Sequence, residues 1–183
     1  MGDQNIPYGL REVALTPYTT DAATTLATAA AYPVAREFTF VEAEDFEELR
    51  GDDKAWALRG KGASVEWEME NGGVSLGSYK TMAGGTITTT GVTPNVVTKF
   101  QKKVTDGRPY FHSEGRSIND NGGDFHVKLY KCRASEKLEG TLADGAFWLT
   151  GAGGQALPAT LTGAIDALCD FISNETATPI ITP

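Results

Sequence analysis

The sequence predicts a mainly β domain, folded as a single antiparallel sandwich or barrel with at most one short helix. Aromatic and β-branched residues alternate with polar ones over several short runs, for example 34–41 and 63–69, which is typical of half-buried strands. Turn signals such as Asn71-Gly72-Gly73 separate these runs. The chain has 183 residues, which fits one domain over 1–183 with a substantial core.

The expected strands follow one another along most of the chain. They cover residues 10–17, 34–41, 56–60 with 63–69, 86–92, 95–104, 108–118, 124–134, 146–150 and 157–165. Runs 108–118 and 124–134 form the clearest hairpin, with Leu129 on one face of the second run and Cys132 on the other. Residues 74–82 permit a short helix. Segment 168–172 fits a helix by its periodicity, although its flanking residues fit a final strand slightly better.

An unusual connection joins the strand at 34–41 to the one that begins at Trp56. It is predicted to be a long inter-strand loop, and it holds seven acids and one base, a net charge of −6 in a chain of −8. Its residues of interest are Glu42, Glu44, Asp45, Phe46, Glu47, Glu48, Leu49, Arg50, Gly51, Asp52 and Asp53. Because exposed apolar side chains usually need a partner, Phe46 and Leu49 indicate a binding role for this loop.

The acidic balance limits the classes of partner. A pI near 4.8 argues against a surface that grips nucleic acid, because phosphate binding needs clustered Lys and Arg. The first nine residues lack the basic start and apolar core of a secretory signal, and no run is long enough for a membrane anchor. Cys132 and Cys169 are most simply free thiols of a reducing compartment, with a single disulfide left open.

Catalytic chemistry is not expected. His112 and His126 lie on opposite arms of the expected hairpin, and a metal hydrolase that also used Glu114 or Asp124 can be imagined. A metal site needs a third ligand and an open coordination position, and histidines on strands with one solvated face explain the pattern more simply. We therefore predict no enzyme activity, no metal and no cofactor.

Several stretches resemble the major tail tube proteins of long, non-contractile-tailed bacteriophages. The matching parts are the opening YGLREVALTP, the block AREFTFVEAEDFEELRGDDKAWA, the stretch GKGASVEWEMENGGVSL and the close LPATLTGAIDALCDFISNETATPI. Together they cover most of the chain, and ELRGDD is the most specific of them.

The resemblance implies a β-sandwich-like subunit of the phage tail tube type. It also implies hexameric rings that stack into a hollow tube, through which DNA passes during ejection without tight binding. The expected location is the virion tail, assembled in the cytoplasm of the bacterial host. Expected partners are further copies of the chain and other tail proteins, such as the tape measure, tail terminator and distal tail proteins. Some relatives carry a C-terminal immunoglobulin-like domain, and we expect none within these 183 residues.

In such tubes a long loop between neighbouring strands reaches the adjacent ring, and residues 42–53 occupy the corresponding place. Phe46 and Leu49 would be its anchors. The acids would face basic residues of the partner, for which the candidates are Lys102, Lys103, Arg116, Lys128 and Arg133.

Two other interpretations stay open. A single-ring tail terminator or head–tail connector has a similar fold but does not polymerise. A carbohydrate-binding β-sandwich needs exposed Trp or Tyr on one face. Here Trp56, Trp67 and Trp148 lie in expected strands and are predicted to face the core.

Overall fold

The computed structural model of the protein describes residues 6–120, 122–136, 138–140, 143–146 and 148–180. Over half of the chain is strand, which confirms the mainly β prediction. The elements are β1 (Pro7–Pro17), β2 (Ala30–Ala31), β3 (Ala35–Gly51), β4 (Lys54–Asn71), α1 (Leu76–Ala83), β5 (Thr86–Thr90), β6 (Val97–Gln101), β7 (Phe111–Asn119), β8 (Asp124–Ala134), β9 (Glu139–Gly140), β10 (Thr150–Ala156) and β11 (Cys169–Asn174).

Most of these strands belong to one antiparallel sheet with the order β2-β1-β7-β8-β10-β4-β3. The expected hairpin of β7 and β8 is confirmed by their pairing. The opposite edge of β8 pairs first with β11 and then with β10, so β8 joins two halves of the sheet. Strands β5 and β6 form a separate hairpin.

The two halves face each other across the core, as in a sandwich. Val65, Trp67 and Met69 of β4 alternate with exposed residues and are buried, as the sequence predicts. They meet side chains of β1, β7 and β8 in one apolar cluster. The rings of Trp67 and Phe111 lie 5.5 Å apart in an edge-to-face contact between the halves.

The short helix expected within 74–82 is confirmed as α1. Ser75 caps its start by accepting a hydrogen bond from the Ser78 backbone N–H, and Gly84 ends it. The Tyr79 ring contacts Phe100 of β6 at 5.9 Å, which fastens the β5–β6 hairpin to the helix. No helix among the described residues has the length and apolarity needed to cross a membrane.

The strand expected at 146–150 is wrong in position. Only Thr150 of that segment is strand, and Phe147 lies outside the described residues. The strand that does form is β10, with the sequence TGAGGQA, which is paired with β4 along its full length.

The prediction of a strand at 157–165 is wrong. The segment forms turns that close on themselves, since the Ala159 N–H donates to the Ala167 carbonyl and the Asp166 N–H donates to the Ala159 carbonyl, both at 2.9 Å. Ala159 and Leu161 are buried beside Tyr130 in a second apolar cluster. Ala159 and Leu161 therefore cover the side of β8 that faces away from the main core.

The alternation of the β8 side chains between the two faces of the sheet shifts by one residue partway along the strand. Leu129 pairs with Ser113 and Cys132 pairs with Phe111, so one extra residue lies on β8 at this point, and Lys131 has a left-handed φ of 42°. This bulge returns Cys132 to the core, which corrects the face predicted for it. Burial raises the pKa of its thiol. Cys132 and Cys169 are both free thiols, and the strand preferred for 168–172 is confirmed as β11.

Candidate assembly surface

β3 and β4 continue beyond the core as a two-stranded arm, which we define as residues 42–63. The strands pair from Glu42 opposite Val65 to Gly51 opposite Lys54. The arm is about 30 Å long at roughly 3.4 Å per residue. The prediction of a loop over 42–53 is therefore wrong, because residues 42–51 are strand. A hydrogen-bonded ladder satisfies the backbone without burying either face, so acidic side chains can point to solvent on both sides.

The tip of the arm is a two-residue turn. Asp52 and Asp53 have φ values of 51° and 60°, the left-handed conformation that a type I′ hairpin turn requires at both central positions. Asp tolerates this conformation better than most side chains. The signal in the sequence was weak because Asp-Asp is a less distinctive turn pair than Asn-Gly or Asp-Gly.

Large apolar side chains project from the arm into solvent. The exposed fractions are 57% for Phe46, 65% for Leu49, 65% for Trp56 and 66% for Leu58. Single exposed apolar residues are ordinary, but several on one slender element mark an interaction surface. The structure thus places both predicted anchors where another molecule could contact them.

Trp56 belongs to this surface, although the sequence pattern did not predict it there. It was predicted to face the core, as Trp67 does, and that prediction is wrong for Trp56. Its indole Nε1 donates a 2.7 Å hydrogen bond to the Gly51 carbonyl oxygen across the tip turn. Trp148 is half-buried and does not lie in a strand. Period-2 alternation is the same in a strand of the core and in a strand that extends beyond it, so the sequence pattern did not show that Trp56 lies outside the core.

The arm keeps an acidic excess although its second strand carries bases. Residues 42–63 hold seven acids and four bases, which leaves −3. Lys61 Nζ lies 3.3 Å from Glu47, and Arg50 Nε lies 2.8 Å from Glu48. Such exposed pairs contribute at most about 1 kcal/mol each. The remaining carboxylates are available to bases of another molecule.

Three of the five predicted basic partners are exposed. Lys102 and Lys103 follow β6, and Lys102 Nζ donates to the Ala83 carbonyl at the end of α1. Arg133 of β8 lies with its guanidinium 4.9 Å from the centre of the Tyr110 ring. These side chains can face the carboxylates of a second chain.

The other two, Arg116 and Lys128, are engaged inside the subunit. Arg116 Nε donates to Asp124 at 2.9 Å and Nη1 donates to Glu12 at 2.8 Å, with only 12% of the side chain exposed. Lys128 Nζ lies 3.6 Å from Glu114. They stabilise the sandwich and have little surface left for a partner.

His112 and His126 do meet at a shared carboxylate. His126 Nδ1 lies 2.7 Å from Glu114 Oε1, and His112 Nε2 lies 3.8 Å from Glu114 Oε2. His126 Nε2 is 3.2 Å from Asp124 Oδ2 without hydrogen-bond geometry. Within the described ranges no three His, Cys, Asp or Glu side chains form a group that could hold a metal ion. The cluster is a polar network under the sheet surface.

The network favours the charged form of Glu114. Burial raises the pKa of this carboxyl, but the interactions with His112 and His126 and the charge of Lys128 outweigh burial and lower it to about 2. The ionised carboxylate is therefore bound more strongly in the folded state than in the unfolded one.

We expect Glu114→Gln to reduce the free energy of unfolding by about 2–3 kcal/mol near pH 7. Because the pKa of Glu114 falls from 4.5 to about 2 on folding, this contribution is present above pH 4.5 and disappears as the pH falls through about 2. Urea unfolding of both proteins between about pH 7 and pH 3 measures it. A difference that stays constant with pH would show that packing, not ionisation, is responsible.

Comparison of the sequence with models of protein families and with curated proteins finds no match. The features that bear on function are thus those of the chain itself: a mainly β fold of antiparallel strands that extends one long, acidic and partly apolar arm into solvent.

Proposed function

We propose that this protein is a structural virion protein whose hexameric rings stack into the hollow tail tube of a long-tailed bacteriophage, a conduit for DNA ejection. Its location would be the virion tail, assembled in the host cytoplasm, and its partners further copies of itself and the other tail proteins. The observation that carries the proposal is the exposed arm at 42–63, which includes the segment for which the resemblance implies a contact between rings.

The arm exposes apolar side chains to water, which is unfavourable for a protein that acts as a monomer. Each of Phe46 and Leu49 would contribute roughly 1.5–3 kcal/mol if fully buried at an interface. Sixfold repetition in a ring would multiply this modest contact. A long arm with exposed anchors therefore fits a subunit of a repeating assembly.

The edges of the sheet support the same proposal. β3 ends the sheet at one side, and at the other β2 covers only Ala14 and Leu15 of β1. Open edges invite strands from another chain, and natural proteins usually block them. A closed ring of subunits would remove both edges by pairing them.

The charge of the outer sheet face suits a DNA conduit. Glu66 and Glu68 project outward from β4, and Glu136 and Glu139 border the same groove beside the glycines of β10. Such a face repels phosphate and lets DNA slide instead of binding.

We expect Phe46→Ala combined with Leu49→Ala to leave the subunit folded and to stop rings from stacking. Both side chains are exposed in the single chain, so their loss removes little from the core. Circular dichroism checks the fold, and negative-stain electron microscopy of wild type and variant compares tubes with isolated rings.

A matched control trims two apolar side chains away from the arm. Leu157→Ala combined with Ile165→Ala removes partly exposed side chains from the loop after β10 and should leave tube length unchanged. Full-length tubes from the arm variant would make the arm a solvated extension and refute its role. Wild-type rings that never stack would favour the terminator or connector instead.

The carbohydrate-binding alternative gains one observation from the exposed indole of Trp56. A sugar platform presents aromatic rings on a flat or concave face with polar groups around it. Here the ring lies across the tip turn of an arm that also exposes Phe46, Leu49 and Leu58, which is the composition of a protein contact. A chain that remains monomeric at every concentration would reverse this preference.

A further inference from the structure

An apolar groove lies between α1, the start of β5 and the segment before β7. It is lined by Pro17, Ile87, Pro109 and four glycines, among them Gly77, with Lys80 as its charged residue. Its volume of about 550 Å³ falls within the range of clefts that enclose a small ligand. An indole with a neighbouring aliphatic side chain would fit this space.

The groove belongs to a basic part of the chain. Residues 72–110 hold five bases and a single acid, a net charge of +4 in a chain of −8. Four of the bases are exposed lysines, namely Lys80, Lys99, Lys102 and Lys103. None of the four forms an ion pair with a carboxylate in the part of the chain that the structure describes.

The end of the arm has the complementary character. Residues 42–53 carry a net charge of −6. Leu49 within this segment and Trp56 just after it are each 65% exposed, and the hydrogen bond from the indole to Gly51 holds the ring at the tip. Trp is the residue most typical of interface hot spots, because it buries a large rigid surface.

We infer that the arm tip of one copy docks into this groove of another copy, with Trp56 as the anchor and with Lys80 and the other bases of residues 72–110 attracting the acids of the arm. The inference rests on the proposed function, which requires the arm to contact a second subunit, and it names the surface that receives the arm. Arm and groove are different surfaces, so the contact is heterologous and repeats head to tail. Such a contact is suited to an open stack.

The test uses two variants that each lose one side of the contact. Leu49→Ala combined with Trp56→Ala removes the apolar tip and leaves the groove intact. Gly77→Leu fills the groove and leaves the arm intact. An ideal Cβ at Gly77 meets only Ser75 Oγ at 3.7 Å, and leucine favours the helix over glycine, so the fold should tolerate this change.

Neither variant should form tubes alone, yet a mixture of the two should form pairs. The intact arm of Gly77→Leu can enter the intact groove of the arm variant, and no further copy can be added. Light scattering with size-exclusion chromatography should therefore show a species of twice the mass of either variant alone. A mixture that keeps the separate masses, or tubes formed by Gly77→Leu alone, would overturn the inference.

Charge reversal provides a matched comparison of surfaces. Lys80→Glu with Lys102→Glu should weaken assembly roughly tenfold, because Lys80 lines the groove and Lys102 Nζ donates to the Ala83 carbonyl beside it. Arg11→Glu with Arg36→Glu, an equal charge change at two exposed arginines of β1 and β3, should have little effect. The opposite ranking would refute the groove as the acceptor.

The outcomes separate this inference from the proposed function. If the arm variant stops stacking but Gly77→Leu does not, the arm contact stands and the groove is not its acceptor. If both variants form full tubes, the role of the arm fails together with the groove. A wild-type chain that stays monomeric at all concentrations overturns both.

Discussion

Replacing Gly154 by alanine should destabilise the protein by about 3 kcal/mol or more, a larger effect than most single substitutions have. Gly154 lies in the middle of β10, between Trp67 of β4 and Ala134 of β8. An ideal Cβ there would overlap the carbonyl oxygen of Arg133 and lie 2.9 Å from the Ala134 Cα. These are backbone atoms, so the clash is relieved only by moving β8 away from β10.

Gly151→Ala is the matched control in the same strand. An ideal Cβ at Gly151 meets no atom within 4 Å, so alanine there should be neutral or stabilise slightly by restricting the unfolded chain. Urea unfolding followed by circular dichroism measures both changes. Equal midpoints for the two variants would contradict the close approach of β8 and β10.

The same glycines explain why β10 could not be predicted. Strand propensity comes from side chains that pack on a pleated surface, and TGAGGQA offers almost none. The sequence instead predicts a strand at 146–150, because aromatic residues there give a strand-like pattern. β10 forms because its small residues fit the narrow space between β4 and β8. This is a tertiary constraint that a short stretch of sequence does not show.

The core strands were predictable because one face of each is buried. Val65, Trp67 and Met69 alternate as a half-buried strand requires, and all three lie in the core. The hairpin of β7 and β8 followed from the same pattern, but the bulge at Lys131 did not. A bulge shifts the pattern by one residue without leaving a composition signal.

The arm was located by its composition, but its conformation was not predicted. Seven acids among few apolar residues resemble a solvated loop, because strand prediction assumes that one face is buried. In the arm both faces are exposed to solvent. The backbone hydrogen bonds between β3 and β4, and not the burial of one face, hold the two strands together. The exposed apolar residues Phe46 and Leu49, which we propose as anchors, were found from the acidic run, whereas Trp56 was assigned to the core by its alternation.

Asp124→Ala should destabilise the fold by about 3–5 kcal/mol, because it removes one partner of a buried ion pair. Asp124 is completely buried at the start of β8. It accepts hydrogen bonds from Arg116 Nε at 2.9 Å, from Asn174 Nδ2 at 2.8 Å and from the Thr178 N–H at 2.5 Å. Removing the carboxylate leaves all three donors without this acceptor, and among the described residues the guanidinium of Arg116 keeps Glu12 as its one ion-pair partner.

Glu12→Ala is the control that separates the buried partner from the outer one. Glu12 also pairs with Arg116 and accepts from the Ile180 N–H at 3.1 Å, but 36% of its side chain is exposed, so water can replace it. Its loss should cost only about 1 kcal/mol. Since Thr178 is held by Asp124, Asp124→Ala should also speed proteolysis of residues 175–180 in the folded protein. Equal losses of stability in the two variants, with unchanged proteolysis, would show that Asp124 is not the centre of this network.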